Sequence, residues 1–373
     1  MKAVYLIGNG FDINSGLNTK AQRIVADYRS SLAKDLAELQ GNADSGHTAA
    51  GLSALLEEIS SDPRTWADFE MSLGHFTAVC EGSPDALEMF RRAFAHFREF
   101  LVGQLQHEED LIQRVEIPLN TLKLFYSKTL DFMRGGMRPA QQAVIDQFLQ
   151  QNARESWIIN FIDFNYTTLI DRLVNETCAS DISQRAIVSS NSYGRSITSP
   201  VHVHGTLSDD HGILVGVDRL DQIEGVSIRE SDELSLALTK PLLNHACMDE
   251  RDSAAMNLIR EADIICVYGM SLGESDLTWW EEIGNWLCRK PEEKLFVIAQ
   301  RFSPANKAQP EAFAQESKGH LQLFHDRSGI PQEAWAAASS RIIVTSANKV
   351  FDIGLDELVA KARENFRFNS NAG

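Results

Sequence analysis

The chain has 373 residues, 43% of them hydrophobic, and carries 52 Asp and Glu against 35 Lys and Arg, a formal net charge of −17. That is apolar material for one large or two ordinary globular domains, and an acidic excess with no basic patch against it excludes a long nucleic-acid backbone as partner. The five scattered cysteines include no C-x-x-C pair, the apolar start is too short for a signal peptide, and no apolar run approaches a membrane span, so a cytoplasmic protein with reduced thiols and no membrane contact is expected.

Residues 3–10, AVYLIGNG, predict a buried strand that runs straight into Gly8-Asn9-Gly10-Phe11-Asp12. A compact anion such as a nucleotide suits such a turn, because backbone N–H groups bind it without side-chain charge. The pattern departs from the known phosphate and metal loops at named positions. Ile13 stands where a dinucleotide fingerprint has its third Gly, Gly16 is followed by Leu17 rather than Lys, and Leu17 stands at the glycine of a calcium loop. By pattern alone the turn is either a tight structural turn or a ligand loop.

The next 130 residues read as helical. Ile24, Tyr28, Leu32 and Leu36 keep a helical spacing, as do Phe90, Phe94, Phe97, Leu101 and Leu105, the second set preceded by Ser83-Pro84-Asp85 as a start signal. NADSGHTAAG, residues 42–51, reads as an exposed loop between helices. Trp66, Asp68 and Glu70 in WADFE suit helix packing and capping as well as function.

A second buried strand is predicted at 156–165, SWIINFIDFN, leading into Asn165-Tyr166-Thr167-Thr168, where Asn165 is either a ligand group or a helix cap. Shorter strands are predicted at 199–205 (SPVHVHG), 212–218 (GILVGVD) and 341–347 (RIIVTSA), and strong ones at 262–271 (ADIICVYGMS) and 293–300 (EKLFVIAQ). His202 and His204, two apart on a strand, would share one face; a metal site would need a further ligand such as His211 or His245, and a catalytic base or a core histidine are the alternatives. Residues 231–263 and 274–290 read as helices around the 262–271 strand, and 301–340 as mixed helix and loop. Gly269-Met270-Ser271-Leu272-Gly273 matches G-x-S-x-G, but only His320 and His325 follow it as partners for a nucleophilic Ser271. Four strand ends bearing Gly, Asn, His and Ser would line one edge of a parallel sheet, where a nucleotide is expected.

LIGNGFDINSGLNTKAQRI, WADFE, FNYTTLID, VHVHGTL and YGMSLGESD together resemble the successive motifs of the bacteriophage abortive-infection AbiH family. That family is itself distantly similar to sirtuin-like NAD-binding proteins. The resemblance implies a sirtuin-like, Rossmann-type α/β core at 1–20 and 151–373, with a mostly parallel sheet, helices on both faces and a helical insertion at 21–150. It implies that Gly8, Gly10, Phe11 and Asp12 touch a nucleotide and that Asn165 lies by its ribose, with Tyr166 and Thr167 beside it. His204, before Gly205, would be the catalytic base, and Gly269, Ser271, Leu272 and Asp276 the closing loop. Asn9 between the glycines and Thr167 in place of an acid depart from the sirtuin pattern, and the absence of a four-cysteine zinc module sets the chain apart from the deacetylases.

The function so implied is antiphage defence by binding and hydrolysing NAD or a related nucleotide at its N-glycosidic bond, without a metal. A phage-encoded trigger and a homo-oligomer are the further partners it suggests. A non-catalytic nucleotide-binding module and a serine hydrolase built on Ser271 are the alternatives.

Overall fold

The computed structural model describes residues 1–39, 46–61, 68–83, 85–152, 155–180, 182, 195–302 and 310–370. Seven strands form one sheet: β1 (Lys2–Ile7), β2 (Trp157–Asp163), β3 (Arg195–Ile197), β4 (Val201–His202), β5 (Ile264–Tyr268), β6 (Leu295–Gln300) and β7 (Ile342–Ser346). Their order is β3-β2-β1-β5-β6-β7, with β4 also on β2, and every pairing is parallel. The chain therefore winds outward from β1 in one direction and, after β4, returns to wind outward from β5 in the other. The crevice between β1 and β5 is the topological switch point, where open α/β sheets bind ligands.

Strand alternation sends Ala3, Tyr5 and Ile7 to one face and Val4 and Leu6 to the other. The first face packs under Leu122, Phe125, Ile145 and Leu173. The second packs under Ile259, Trp280, Trp286 and Phe324. Both faces being covered is why these strands read as continuous apolar runs rather than alternating ones.

Between β1 and β2 lie α1 (Gly10–Asn14), α2 (Ala21–Leu39), α3 (Gly46–Ser61), α4 (Phe69–Cys80), α5 (Ala86–Arg114) and two further helices, Leu119–Leu130 and Pro139–Gln151. The segment serves two cores. Residues from Ile24 to Leu105 enclose a second core together with Ile213, Val217, Ile228 and Leu238, whereas Leu111 to Phe148 lie against the sheet. The 29 residues of α5 cross from one core to the other, Phe97 and Leu101 in the second and Leu111 and Ile112 in the first.

Several expectations are corrected. Residues 46–51 of the expected loop belong to α3, whose Leu52, Leu55 and Ile59 are buried; residues 42–45 lie outside the described chain, as do Trp66 and Pro84. The segment 212–218 is buried but forms no strand. Its backbone bonds go elsewhere: Leu214 N donates to His204 O, Val217 N to Leu238 O, and Val217 O accepts from Lys240 N. Residues 231–263 hold three helices, Asp232–Leu238, Lys240–Ala246 and Arg251–Glu261, and 310–328 and 332–339 are helical. All five cysteines are free, and among the described residues no helix is long and apolar enough to cross a membrane.

The loops after β1 and β5 are pressed together. A Cβ on Gly10 would lie 2.5 Å from Gly269 Cα, and one on Gly269, whose φ is +77°, would lie 2.7 Å from Gly8 O. Gly269→Ala adds a backbone clash to a left-handed conformation and is expected to cost about 1–3 kcal/mol or more. A thermal melt or urea titration showing an unchanged midpoint would contradict this close packing.

Candidate functional site

Pairing across the sheet puts His202, Asp163, Ile7, Tyr268, Ala299 and Thr345 at one level, so the loops that follow them all open at the same edge. These loops, with the starts of α2 and α4, surround a cavity of about 360 Å³, within the range of small-molecule sites. Gly8, Asn9, Gly10 and Asp12 line it from β1, and Asn165, Tyr166 and Thr167 from β2. His204, Gly269, Ser271 and Asp276 line it as well.

Phe11, Gly205 and Leu272 are not in the lining. Phe11 is buried in the sheet core, edge-on to Phe351 at 5.5 Å. Gly205 adopts φ +70° against Gly212 O, and Leu272 is fully buried with φ +56°.

Three backbone N–H groups of the glycine turn are already engaged. Gly8 N donates to Tyr268 O at 2.9 Å, Gly10 N to Gly269 O at 2.8 Å and Phe11 N to Gly8 O at 2.9 Å. Asn9 is likewise engaged: its Nδ2 donates to Thr19 O at 2.6 Å and its Oδ1 accepts from the Thr19 hydroxyl. The glycines thus serve the β1–β5 loop contact, and positive charge at the cavity comes from Lys20 and Arg301 in its lining.

Asn165 is the opposite case. Its side chain is not a helix cap, because the N-cap of the helix Leu169–Ala179 is Thr168, three residues later. Its backbone N–H donates to Asp163 Oδ1 at 2.9 Å, yet neither atom of its side-chain amide has a partner, although the residue is 3% exposed. Asp12 accepts from the Thr167 hydroxyl at 2.8 Å through Oδ2, and its buried Oδ1 is also unpartnered. Burial and the nearby Asp163 push the Asp12 carboxyl well above the usual range.

The two histidines do not share a face, because β4 ends at His202. His202 turns to Asp171, Nε2 to Oδ2 at 2.5 Å, with Asp163 Oδ2 3.7 Å from Nδ1. Burial lowers its pKa, but the bond to Asp171 and the charge of Asp163 outweigh this and push it up to about 9. Burial drives Asp163 up to about 7. His204 instead meets the buried Lys240, Nε2 to Nζ at 3.1 Å, and packs between Phe164 and Tyr166.

Lys240 also donates to Glu70 Oε2 at 2.9 Å and to Ser275 O at 3.1 Å. Glu70 accepts from the Tyr166 hydroxyl at 2.9 Å through its other oxygen. Asp276 Oδ1 stands 3.5 Å from His204 Nε2 and 3.6 Å from Lys240 Nζ. Burial raises the Asp276 carboxyl, and Lys240 and His204 more than offset it, holding the group below its ordinary range. Glu70, His204 and Asp276 are close enough together for a metal, but the ammonium of Lys240 sits among them and supplies the cation.

Sequence reasoning missed Lys240. Its signal is that it is the one Asp, Glu, Lys or Arg between Glu233 and Asp249. The WADFE motif acquires a role: Asp68 caps α4 by accepting from Met71 N and also accepts from the Ser275 hydroxyl at 3.1 Å, while Asp68, Phe69 and Glu70 line the cavity. Ser271 is exposed, and among the described residues no histidine hydrogen-bonds it. The left-handed residues of its turn are Gly269 and Leu272.

Residues 4–297 match the bacteriophage abortive infection family AbiH. The chain belongs to the AbiH family. No curated protein matches it. Membership connects the chain to abortive infection of bacteriophage, and the matched span runs from β1 into β6, so it contains every cavity residue described above except Gln300, Arg301, Ala299 and Ala347.

In this AbiH protein His202 gains proton affinity on folding. That stabilisation is complete below about pH 6.5, the unfolded value, and is lost as the pH rises through about 9. The melting temperature is therefore expected to fall between those values, and His202→Gln to flatten the fall. A wild-type slope unchanged in the variant would contradict the His202–Asp171 pairing.

Proposed function

We propose that this AbiH protein acts in phage defence in the cytoplasm by binding NAD or a related nucleotide in the switch-point cavity and cleaving its N-glycosidic bond. The observation that carries the reading is the side-chain amide of Asn165, buried in the cavity wall with neither its oxygen nor its nitrogen bonded. A buried polar group left unpaired costs about 1–3 kcal/mol, a cost that a ligand's hydroxyl groups remove. Asp12 Oδ1 and Asp276 Oδ1 are two further unbonded oxygens in residues of the same lining. An amide and two carboxyl oxygens left unbonded suit the hydroxyls of a ribosyl group, each able to give and receive a hydrogen bond.

The charge pattern fits the same chemistry. Breaking the bond from C1′ to the base nitrogen sends the electron pair out with the base and leaves a cationic ribosyl centre. The carboxylate of Asp276, held below its ordinary range, stabilises that cation as it forms, and a water whose oxygen bonds to C1′ gives up its proton to the His204 imidazole, which passes it to solvent. Lys20 and Arg301 are the side chains available to the phosphates, since the Gly8 and Gly10 N–H groups are already spent.

The test is release of the free base from NAD by purified protein, alone and with extract of phage-infected cells, followed by chromatography. Wild type is expected to turn over, and Asn165→Ala to lose about 100-fold or more in kcat, the scale of removing one aligned polar group from a reacting centre. Saturable binding without base release would leave a sensor and remove the hydrolytic step. Neither binding nor release under either condition would overturn the reading.

A further inference from the structure

We infer that Lys240 is a positioning residue that fixes the ring proton of His204 on Nδ1 and keeps the Nε2 lone pair covered until the site is engaged. An ammonium group has three hydrogens and no lone pair. Lys240 Nζ has three acceptors in range, Glu70 Oε2 at 2.9 Å, Ser275 O at 3.1 Å and His204 Nε2 at 3.1 Å. All three hydrogens are used, so His204 Nε2 accepts, carries no hydrogen, and the ring's proton resides on Nδ1.

Asp276 supports the assignment from the other side. Its Oδ1 is 3.5 Å from His204 Nε2, longer than a normal hydrogen bond, so the closer contact, Lys240 Nζ at 3.1 Å, decides the role of Nε2. The alternative, a neutral amine accepting from Nε2–H, would place an uncharged lysine beside Glu70 and Asp276. Burial disfavours the charged lysine, but Glu70, Asp276 and Asp218 outweigh it and raise the Lys240 pKa.

The arrangement has two settings. In the first, Lys240 donates to His204 and the imidazole is only a donor, through Nδ1. In the second, the same hydrogen turns to Asp276 Oδ1, now 3.6 Å from Nζ, and closing that gap to a normal bond of about 2.9 Å frees Nε2 to accept a proton from water. Asp276 ends the 269–276 loop that lines the cavity, so a ligand seated against that loop bears directly on the choice. His204 and Lys240 also line a second cavity of about 260 Å³, with Asp218, Asp252 and Trp279. The pair is thus shared between two chambers. The groups that act on His204 are Lys240 and Asp276 in contact, Asp163 and Asp252 through their charge, and the Tyr166 and Phe164 rings.

The tautomer rests on geometry alone; only its consequence for catalysis rests on the proposed nucleotide hydrolysis. Long-range ¹H–¹⁵N correlation spectra of the labelled full chain at pH 7.5, with the His204 resonance identified by its loss in His204→Gln, read the proton position directly. Wild type is expected to show a protonated Nδ1 and a bare Nε2. Lys240→Met removes the hydrogen-bond donor that faces Nε2 and leaves Asp276 Oδ1 as its nearest carboxylate oxygen, so the proton is expected to move to Nε2. Lys240→Arg, which retains donors and charge, is expected to keep Nδ1 protonated.

A wild-type spectrum with Nε2–H or a doubly protonated ring would overturn the inference, whether or not Lys240→Met folds. A protonated Nδ1 in a protein that does not cleave NAD would leave the inference standing and remove the proposed hydrolysis instead.

Discussion

Gly10 and Gly269 come so close that the α-carbon of one occupies the place a β-carbon of the other would need. This contact between the loops after β1 and β5 closes the switch point of the sheet, and it shapes the site in two ways. It brings Asp12 on one loop and Ser271 and Asp276 on the other to the edge of one cavity. It also uses up the backbone N–H groups of Gly8 and Gly10, which in a dinucleotide fingerprint are left free for phosphate. Lys20 and Arg301 are the lysine and arginine side chains in the lining that can meet an anion there.

The helices inserted after β1 are joined to the sheet loops by buried polar contacts as well as apolar packing. Glu70 at the start of α4 holds both Tyr166 and Lys240, and Asp68 holds Ser275. One short helix start therefore touches the loops after β2 and β5 and the helix that carries Lys240. Removing one partner of a buried ion pair strands the other charge, a loss of about 3–5 kcal/mol, so these residues resist change for structural reasons as well as chemical ones. The chain as a whole is strongly acidic, and within this cluster Glu70 and Asp276 outnumber the single buried Lys240.

The sheet was legible in the sequence because strands buried on both faces are written as unbroken apolar runs, as in VYLI, IICVY and LFVIAQ. The helices α2 and α5 were legible through their spacing. The segment 212–218 misled because burial alone makes an apolar run; its backbone pairs with 204 and 238–240 instead of a ladder. Asn165 was found because it follows a strand, and its lack of partners could only be seen in three dimensions. Lys240 was missed because a buried ammonium is made tolerable by Glu70, Ser275 and His204, which lie 170, 35 and 36 residues away in the chain. The histidine pair was misread because a strand was assumed to continue past His202, and the separation of its members by two carboxylate sets depends on where β4 stops.

The central claim is that the unbonded amide of Asn165 is kept for a ribosyl ligand in the switch-point cavity. A crystal structure of the full chain with a non-cleavable NAD analogue tests it most directly. The account predicts the analogue between the β1 and β5 loops, a ribosyl hydroxyl within hydrogen-bonding distance of the Asn165 amide, and Lys20 or Arg301 on a phosphate. An analogue bound elsewhere, or an Asn165 amide turned onto a protein partner with the ligand in place, would contradict it.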